Sequence, residues 1–324
     1  MREPLVVWTN AQLSSSAAQA LKDGVGEHRL LVASQTGDNL TAAGDDPDLP
    51  IAQVAFGQPN PAQLFTDPAP KWTHLTSAGY TRYDRADLRT ALLARGATMT
   101  NSSSVYDEPC AQHLLAFILA ANRCLPESTA AQVQGPKWDY ERLRPMTRLL
   151  LGDTVLLVGY GAIAKRLAEL LAPFHPNIIA FRRSVHGDEA VRTLPIDQLE
   201  EHLPSADHVV NVLPANSSTE NLFNPKLFAR MKPSAGFYNV GRGNTVDQDA
   251  LIKSLTDEKL RVAYLDVTDP EPLPIDHPLW KAPNCHITPH IAGGHQDEHL
   301  RIVMHFLANL HRFEQGEPLL DRII

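Results

Sequence analysis

Three segments of the sequence place residues that can bind or transfer charge just beyond an apolar run. Arg242 stands between two glycines in NVGRGNTVDQDAL, Glu271 lies in LDVTDPEPLP, and His290 lies in NCHITPHIAGG. An arginine can bind a carboxylate and polarise a carbonyl group, and a histidine whose ring a carboxylate orients can give or take a hydroxyl proton. Converging on a nicotinamide, the three would catalyse hydride transfer to or from an α-keto or α-hydroxy acid. Each alone is a weak signal.

A glycine turn supplies the expected partner for that chemistry. Gly159 and Gly161 fall in VGYGAIA, between an apolar run and a helix-compatible stretch, which matches the dinucleotide-binding pattern G-x-G-x-x-A. Gly159 permits the tight turn, and Gly161 lets the start of the helix approach a pyrophosphate. An ordinary strand-to-helix turn is the alternative. The other cofactor contacts predicted in this turn are Tyr160, Ala162 and Ile163.

Two arginines end the next apolar run, IIAFRRS. In a dinucleotide fold an Asp or Glu about 20 residues beyond the glycines receives the ribose hydroxyls of NAD, and Arg182 occupies that place. A guanidinium there pairs with a 2′-phosphate, so the position predicts NADP(H), with NAD(H) as the second cofactor. Two solvated arginines without a cofactor preference are the alternative. Further predicted cofactor contacts are Arg183, Ser184, Leu213, Pro214, Thr219 and Val240.

The elements that must position these residues alternate in an α/β pattern. Near-continuous apolar runs in the second half predict strands buried on both faces, as in a parallel doubly wound sheet. They lie at 154–160, 177–181, 208–213, 236–240, 262–267 and 285–288. Shorter runs at 4–8, 51–56, 71–75 and 97–100, with helical candidates at 11–21 and 84–95, predict a second α/β layer.

Three further features concern helices and a connecting segment. Asp107, Glu108 and Pro109 together predict a helix start. The mixed segment 126–149, which contains both Gly and Pro, predicts an extended arm or loop. Apolar residues at helical spacing from Leu300 onward predict a C-terminal helix.

Composition excludes several classes of function. A formal net charge of −8 over 324 residues argues against nucleic acid or an anionic membrane as a partner held by bulk charge. Three cysteines without CxxC spacing favour a reducing compartment over a disulfide framework, and no metal site is predicted. With no apolar run long enough to span a membrane and no signal peptide, the expected location is cytoplasmic.

The motifs together resemble the D-isomer-specific 2-hydroxyacid dehydrogenase family. The matching stretches are VGYGAIA, NVGRGNTVDQDAL, LDVTDPEPLP with HPLW and PNCHITPHIAG, and HLTSAGYTRYD. The resemblance implies that Arg242, Glu271 and His290 are the catalytic trio and that Asp266 holds the nicotinamide side. It further implies a substrate carboxylate bound by Arg242 and by a loop formed of Ser77, Ala78 and Gly79.

The same resemblance implies two doubly wound domains, Rossmann-like and flavodoxin-like, with the active site in the interdomain cleft. Residues 1–101 and 291–324 would form a discontinuous substrate-binding domain, and residues 102–290 the dinucleotide-binding domain. A homodimer built on the cofactor domains is implied as well, with the 126–149 arm as a candidate part of its interface.

The chain departs from the family pattern at three places. Ala162 and Ile163 stand where the family often has Arg-Ile, Gln112 replaces a Glu on the helix that begins near 107, and the acidic ribose ligand is absent. The resulting hypothesis is an NADPH-preferring reductase of small 2-keto acids such as glyoxylate or hydroxypyruvate. The alternative is a catalytically weak dinucleotide-sensing binding protein of the corepressor type. Oxidation of formate or phosphite is disfavoured by Glu271, since the formate enzymes pair Gln with His.

Overall fold

The computed structural model describes residues 3–37, 44–135 and 137–324. The chain divides into two compact units. One, the split unit, comprises Met1–Tyr106 and His295–Ile324, and the other, the central unit, comprises Asp107–Gly294. The expected domain boundaries lie near 101 and 291, a few residues from these breaks, and the parts of the expected first domain at 1–2 and 38–43 are outside the described residues. The binding roles expected of the two domains stay predictions.

The helices and strands follow one another in an alternating order. The strands are β1 (Val6–Ala11), β2 (Arg29–Gly37), β3 (Val54–Gly57), β4 (Trp72–Leu75), β5 (Thr98–Thr100), β6 (Thr154–Val158), β7 (Asn177–Arg182), β8 (Arg192–Pro195), β9 (His208–Asn211), β10 (Gly236–Asn239), β11 (Val262–Leu265) and β12 (Cys285–Ile287). The helices are α1 (Ser15–Gly24), α2 (Ala86–Ala94), α3 (Ser103–Asn122), α4 (Leu125–Val133), α5 (Tyr140–Leu143), α6 (Ala162–Leu171), α7 (Leu199–His202), α8 (Pro225–Phe228), α9 (Gln248–Thr256) and α10 (Glu298–Gln315).

Both units are built on parallel sheets, so the predicted α/β class is confirmed. The sheet of the split unit has the order β2-β1-β3-β4-β5, and that of the central unit has the order β12-β11-β10-β9-β6-β7-β8. In the central sheet the chain winds outward in both directions from β6, and ligands of such sheets bind beyond the strand ends at the switch point, here between β6 and β9. Among the described helices none is long and apolar enough to cross a membrane.

The core of the split unit contains an aromatic stack beside a buried histidine. The ring of Phe306 lies between those of Phe56 and Trp72, with ring-centroid distances of 4.3 and 5.3 Å. His74 is fully buried beside the stack, and its Nδ1 atom lies 2.7 Å from the Thr100 hydroxyl. Burial, reinforced by the charge of His305, lowers the pKa of His74 to about 3. This imidazole is therefore neutral in the folded protein at physiological pH.

The predicted start of α3 at Asp107 is wrong. The helix begins at Ser103 and carries Pro109 inside it. The reason is capping by groups that are near in the fold: the Asn101 side chain accepts the N–H of Ser103 at 3.2 Å, and the Asp321 carboxylate accepts that of Ser104 at 2.8 Å. These acceptors pair N–H groups that would otherwise lack a partner at the start of a helix. The helix therefore begins one turn before Asp107, where the sequence predicted its start.

The segment 126–149 is not a loop throughout. Helix α4 occupies its beginning, because Pro126 stands in the first helical turn, where its missing N–H costs nothing, and short α5 follows further on. Residue 136 of this segment is outside the described residues. Strands β2 and β8 were not predicted. The sequence of β8 has one aliphatic residue, Leu194, and in β2 the apolar residues 30–33 are only partly buried or exposed and are followed by polar ones.

Candidate active site

The glycine turn joins β6 to α6 at the switch point of the central sheet. The φ angle of Gly159 is +96°, a left-handed value that favours glycine, and a Cβ there would lie 3.1 Å from the carbonyl oxygen of Val212. Gly161 is the N-cap residue of α6, and a Cβ on it would meet no atom within 4 Å. The open space lies at the positive end of the helix dipole, so this turn fits the pyrophosphate of a dinucleotide.

The residues around this turn form the rest of its surface. Tyr160 is buried, and burial together with the charges of Glu189 and Glu169 raises the pKa of its hydroxyl. Ala162 and Ile163, in the first turn of α6, are partly exposed. The structure therefore places all five predicted residues of the glycine motif in one turn.

Arg182 ends β7, and its guanidinium has a partner that the sequence reading missed. The Nη1 atom lies 3.2 Å from Oε1 of Glu189, whose carboxylate also accepts the backbone N–H groups of His186 and Gly187, both at 2.8 Å. These bonds, chiefly the one from His186, lower the pKa of Glu189 to about 2. Arg183 and Ser184 are exposed at the start of the same loop. The fold therefore brings an acidic side chain, Glu189, to Arg182, although the sequence has no acidic residue at position 182, where the ribose ligand of NAD is expected.

The loop that carries Arg242 is held by buried polar side chains. Asn239 donates to the carbonyl oxygen of Arg242 at 3.2 Å, and the Thr245 hydroxyl donates to the same oxygen at 2.6 Å. Asn211, at the end of β9, bonds both Asn239 and Thr245. A Cβ at Gly243 would lie 1.9 Å from the carbonyl oxygen of Thr268, so only glycine allows the two chain segments to approach. This approach brings Arg242 toward the segment that carries Glu271.

The charges of Arg242 and Glu271 influence one another. Burial lowers the pKa of Arg242, while the charge of Glu271 raises it. Burial of Glu271 raises the pKa of its carboxyl, but hydrogen bonds from His290 and from the N–H of Thr268, together with the charges of His290 and Arg242, leave that pKa below its ordinary value. Glu271 is therefore ionised over the neutral range.

His290 and Glu271 form a direct pair. The Nδ1 atom of His290 lies 2.8 Å from Oε2 of Glu271, and the imidazole side chain is 37% exposed. An ionised carboxylate accepts, so Nδ1 donates and Nε2 is the nitrogen left to exchange a proton with a ligand. His290 has a φ angle of +54°, an uncommon value for a residue with a side chain. Such strain persists where the surrounding structure fixes the backbone.

Asp266 supplies that fixation. It is 2% exposed, and its carboxylate accepts the Thr288 hydroxyl at 2.6 Å and the N–H groups of Ile291 and Ala292 at 2.9 Å each. Its carbonyl oxygen accepts the N–H of His290 at 2.9 Å. Asp266 thus anchors the turn on which His290 is mounted, a role that sequence reasoning did not assign to it. Its predicted contact with the nicotinamide side stays a prediction.

Four other predicted cofactor contacts lie on the loops that follow β9 and β10. Leu213 and Val240 are buried, and Pro214 is exposed. The Thr219 hydroxyl donates to the carbonyl oxygen of Pro214 at 2.6 Å and closes the turn between them. The structure places Leu213 beside Gly159, since a Cβ on the glycine would lie 3.3 Å from the Leu213 side chain.

The predicted carboxylate-binding loop belongs to the split unit and follows β4. Gln58, which is buried, donates to the hydroxyls of Thr76 and Ser77 at 3.1 and 3.0 Å. Asn101 donates to the carbonyl oxygen of Ala78, and Ser77 donates to that of Gly79, both at 2.6 Å. These bonds fix the loop through carbonyl oxygens and hydroxyls, so they do not consume its peptide N–H groups. Gln58 is a positioning residue that sequence reasoning missed.

Fold and site together are those of oxidoreductases that act on CH–OH groups with a nicotinamide dinucleotide. Residues 115–292 match the family described as D-isomer specific 2-hydroxyacid dehydrogenase, NAD binding domain. Human glyoxylate reductase/hydroxypyruvate reductase is 32% identical over 229 residues, which cover 69% of this chain and 69% of that protein. Glyoxylate/hydroxypyruvate reductase B of Citrobacter koseri is 33% identical over 272 residues, or 80% and 79% of the two chains.

A solved structure extends the similarity over the whole chain. It is that of a D-isomer specific 2-hydroxyacid dehydrogenase from Xanthobacter autotrophicus Py2 in complex with NADPH and MES. Its TM-score is 0.81 at 26% sequence identity, covering 100% of this chain and 98% of that one. The chain belongs to the D-isomer-specific 2-hydroxyacid dehydrogenase family.

Proposed function

We propose that the protein is a reductase of small 2-keto acids such as glyoxylate or hydroxypyruvate, with NADPH as the preferred hydride donor and NADH as the second. The observation that carries the proposal is the 2.8 Å pair of His290 and Glu271, with Arg242 close enough for its charge to act on the same carboxylate. The human and Citrobacter koseri relatives are glyoxylate/hydroxypyruvate reductases, which supports this substrate class.

The mechanism assigns one task to each side chain. A nicotinamide dinucleotide held through its pyrophosphate by the turn of Gly159 and Gly161 would supply the hydride for reduction of the keto carbon. Arg242 binds the keto acid and polarises its carbonyl group, since a guanidinium matches such oxygens through two hydrogen bonds. His290 delivers the proton from Nε2 to the carbonyl oxygen, and the product is a D-2-hydroxy acid. Glu271 keeps the imidazole oriented and balances its charge while the proton is held.

The substrate carboxylate is assigned to the loop of Ser77, Ala78 and Gly79. Peptide N–H groups of such a loop can bind a carboxylate, and the loop is already fixed by Gln58 and Asn101, so binding would require little ordering. In this assignment the split unit binds the substrate and the central unit binds the dinucleotide.

The NADP(H) preference rests on the place of Arg182 at the end of β7. A guanidinium there favours a 2′-phosphate over a free ribose hydroxyl. The likeness to a structure in complex with NADPH supports the same cofactor.

A homodimer built on the central units is part of the proposal. The segment 126–149 exposes several large apolar side chains, with Trp138 93% and Val133 79% accessible. Large exposed apolar groups gathered in one segment are typical of interfaces. A second copy of the chain is the occupant expected there.

The three cysteines are free, which supports the proposed cytoplasmic location.

The test is turnover of NADH and NADPH against a panel of glyoxylate, hydroxypyruvate, pyruvate, phenylpyruvate and larger 2-keto acids. We expect the highest kcat/KM with NADPH as the cofactor and either glyoxylate or hydroxypyruvate as the substrate. Binding of dinucleotide with negligible turnover across the panel would instead favour a dinucleotide-sensing binding protein.

A further inference from the structure

The loop after β7 forms a complete anion site within the chain. Its donors are the Arg182 guanidinium and the backbone N–H groups of His186 and Gly187, and all three bind the carboxylate of Glu189. The Glu189 side chain is only 4% exposed, so its charge is held by these donors rather than by water. Such a set of one guanidinium and two peptide N–H groups is also suited to a phosphate.

The position of this anion site coincides with the cofactor region. Arg182 directly follows Phe181, whose carbonyl oxygen accepts the N–H of Gly159 at 2.9 Å, so the loop starts beside the glycine turn. Tyr160, within the turn, experiences the charges of both Glu189 and Arg182. The adenosine ribose of a dinucleotide bound at the glycine turn extends toward the end of this strand.

We propose that Glu189 is a specificity-determining residue whose carboxylate competes with the 2′-phosphate of NADP(H) for Arg182 and the neighbouring N–H groups. This inference rests on the proposed function, because it assumes that a dinucleotide binds at the glycine turn. Glu189 must leave the donors or remain beside the phosphate, and either course disfavours the phosphate. Leaving breaks three hydrogen bonds, and remaining places two negative charges together.

As a consequence, the preference of the protein for NADP(H) over NAD(H) is smaller than Arg182 alone would give. With NAD(H), the Glu189 carboxylate stays in place and a ribose hydroxyl meets no added repulsion. With NADP(H), part of the attraction of Arg182 is offset by Glu189. The chain therefore uses both cofactors, and removing the charge at position 189 converts it into a stricter NADP(H) binder.

The test measures binding rather than turnover. Adenosine 2′,5′-bisphosphate and 5′-AMP differ only by the 2′-phosphate, and their Kd values are determined by titration calorimetry for four proteins. These are the unaltered chain, Glu189→Gln, Glu189→Asp, and Glu200→Gln. The Glu200 variant is the matched control, since it removes a carboxylate paired with Lys226 elsewhere in the central unit. The Asp variant alters the geometry and keeps the charge.

Glu189→Gln should raise the preference for the bisphosphate over 5′-AMP by about five- to tenfold, with smaller gains at high salt. Glu189→Asp and Glu200→Gln should leave the ratio within about twofold of the unaltered chain. Binding of both probes with an unchanged ratio in Glu189→Gln overturns this inference and leaves the proposed function intact. Loss of both probes in Glu189→Gln alone overturns it in favour of a purely structural role. Failure of all four proteins to bind either probe overturns the cofactor site and the inference together.

Discussion

Asp266 holds the backbone of His290 directly, through a 2.9 Å hydrogen bond from the N–H of His290 to the carbonyl oxygen of Asp266. Its carboxylate binds the next two N–H groups of the same turn. Since His290 has a left-handed backbone conformation, the position of its imidazole depends on this anchor.

Replacing that anchor should damage both stability and activity. In the unaltered protein both carboxylate oxygens of Asp266 accept backbone N–H groups. Asp266→Asn replaces one of these oxygens with an NH₂ group, which cannot accept, so one buried N–H donor loses its partner. We expect a loss of about 1–3 kcal/mol in unfolding free energy, and a fall of about 100-fold in kcat with a smaller change in KM. Denaturant melts and steady-state kinetics measure the two effects. Asp257→Asn, which removes an exposed carboxylate paired with Lys253, is the control and should change neither.

Glu271 should give a defined pH dependence of stability. Its pKa is lowered in the folded protein, so it contributes stability above its ordinary unfolded pKa of about 4.3, and this contribution is lost as the pH falls through the folded pKa. Glu271→Gln should therefore be less stable by about 1 kcal/mol at pH 7, and the difference should shrink below pH ~4. Melts of both proteins from pH 7 to pH 3 measure this. A difference that grows toward acid would contradict the assignment.

The proton-transfer role of His290 is best tested with a variant that tolerates its backbone. Asn adopts left-handed conformations more readily than most residues, so His290→Asn should keep the fold and lower kcat/KM by about 10²–10⁴-fold. Its thermal melt should match that of the unaltered protein. Near-normal turnover would remove His290 from the mechanism.

Arg242 should not be replaceable by lysine. Arg242→Lys keeps the charge but loses the paired donors of the guanidinium, so we expect kcat/KM to fall by at least about tenfold, with a raised KM for the keto acid. Dinucleotide binding should be unchanged, which calorimetry with NADPH alone would show. Equal loss of NADPH binding would mean that Arg242 serves the cofactor instead.

The two glycines of the dinucleotide turn should respond differently to alanine. Gly161→Ala faces open space and should fold normally, but the added methyl group should weaken NADPH binding by about tenfold or more. Gly159→Ala should instead lose about 1–3 kcal/mol of stability, because its φ is +96° and Val212 is close. Paired melts and titrations separate the effects. A Gly161→Ala protein with unaltered affinity would argue against a pyrophosphate at this turn.

The proposed dimer can be tested at Trp138. Trp138→Lys should shift the protein from dimer to monomer in light scattering coupled to size exclusion, since it places a charge in an apolar interface. Ile275→Lys is the control, because Ile275 is 95% exposed but lies outside the 126–149 segment. If both variants keep the mass of the unaltered protein, another surface forms the assembly or the protein is monomeric.

The inner strands of the central sheet, such as β6, β9 and β10, were predictable because they are buried on both faces. Continuous apolar runs such as that of β6 have few structural alternatives once a glycine turn follows them. The edge strand β8 lacks this signal, because its sequence has a single aliphatic residue and none of its residues is buried. Helix starts were harder, because the acceptor that caps Ser104 is Asp321, a residue far along the chain.

In the candidate site, too, contacts between residues distant in the sequence were not predictable. Residue types at the ends of apolar runs pointed to Arg242, Glu271 and His290, and the structure brings Glu271 and His290 into contact, while their catalytic roles stay predictions. Glu189 was missed because only the path of its loop brings it to Arg182. The predicted contact of Asp266 with the nicotinamide side stays a prediction, and the bonds of its carboxylate to the turn of His290 were not foreseen. Sequence motifs identify residues expected to contact a ligand more easily than they identify the residues that hold those side chains in position.

The close approach of Gly243 to Thr268 has a consequence for how relatives of this chain diverge. A descendant that gave up catalysis would be free to replace Arg242, whereas a side chain at 243 would collide with the backbone of the neighbouring segment. The flanking glycine should therefore persist through drift as a condition of folding. Under the proposed mechanism, retention of the arginine, rather than of the glycines, would mark a lineage that still turns over substrate.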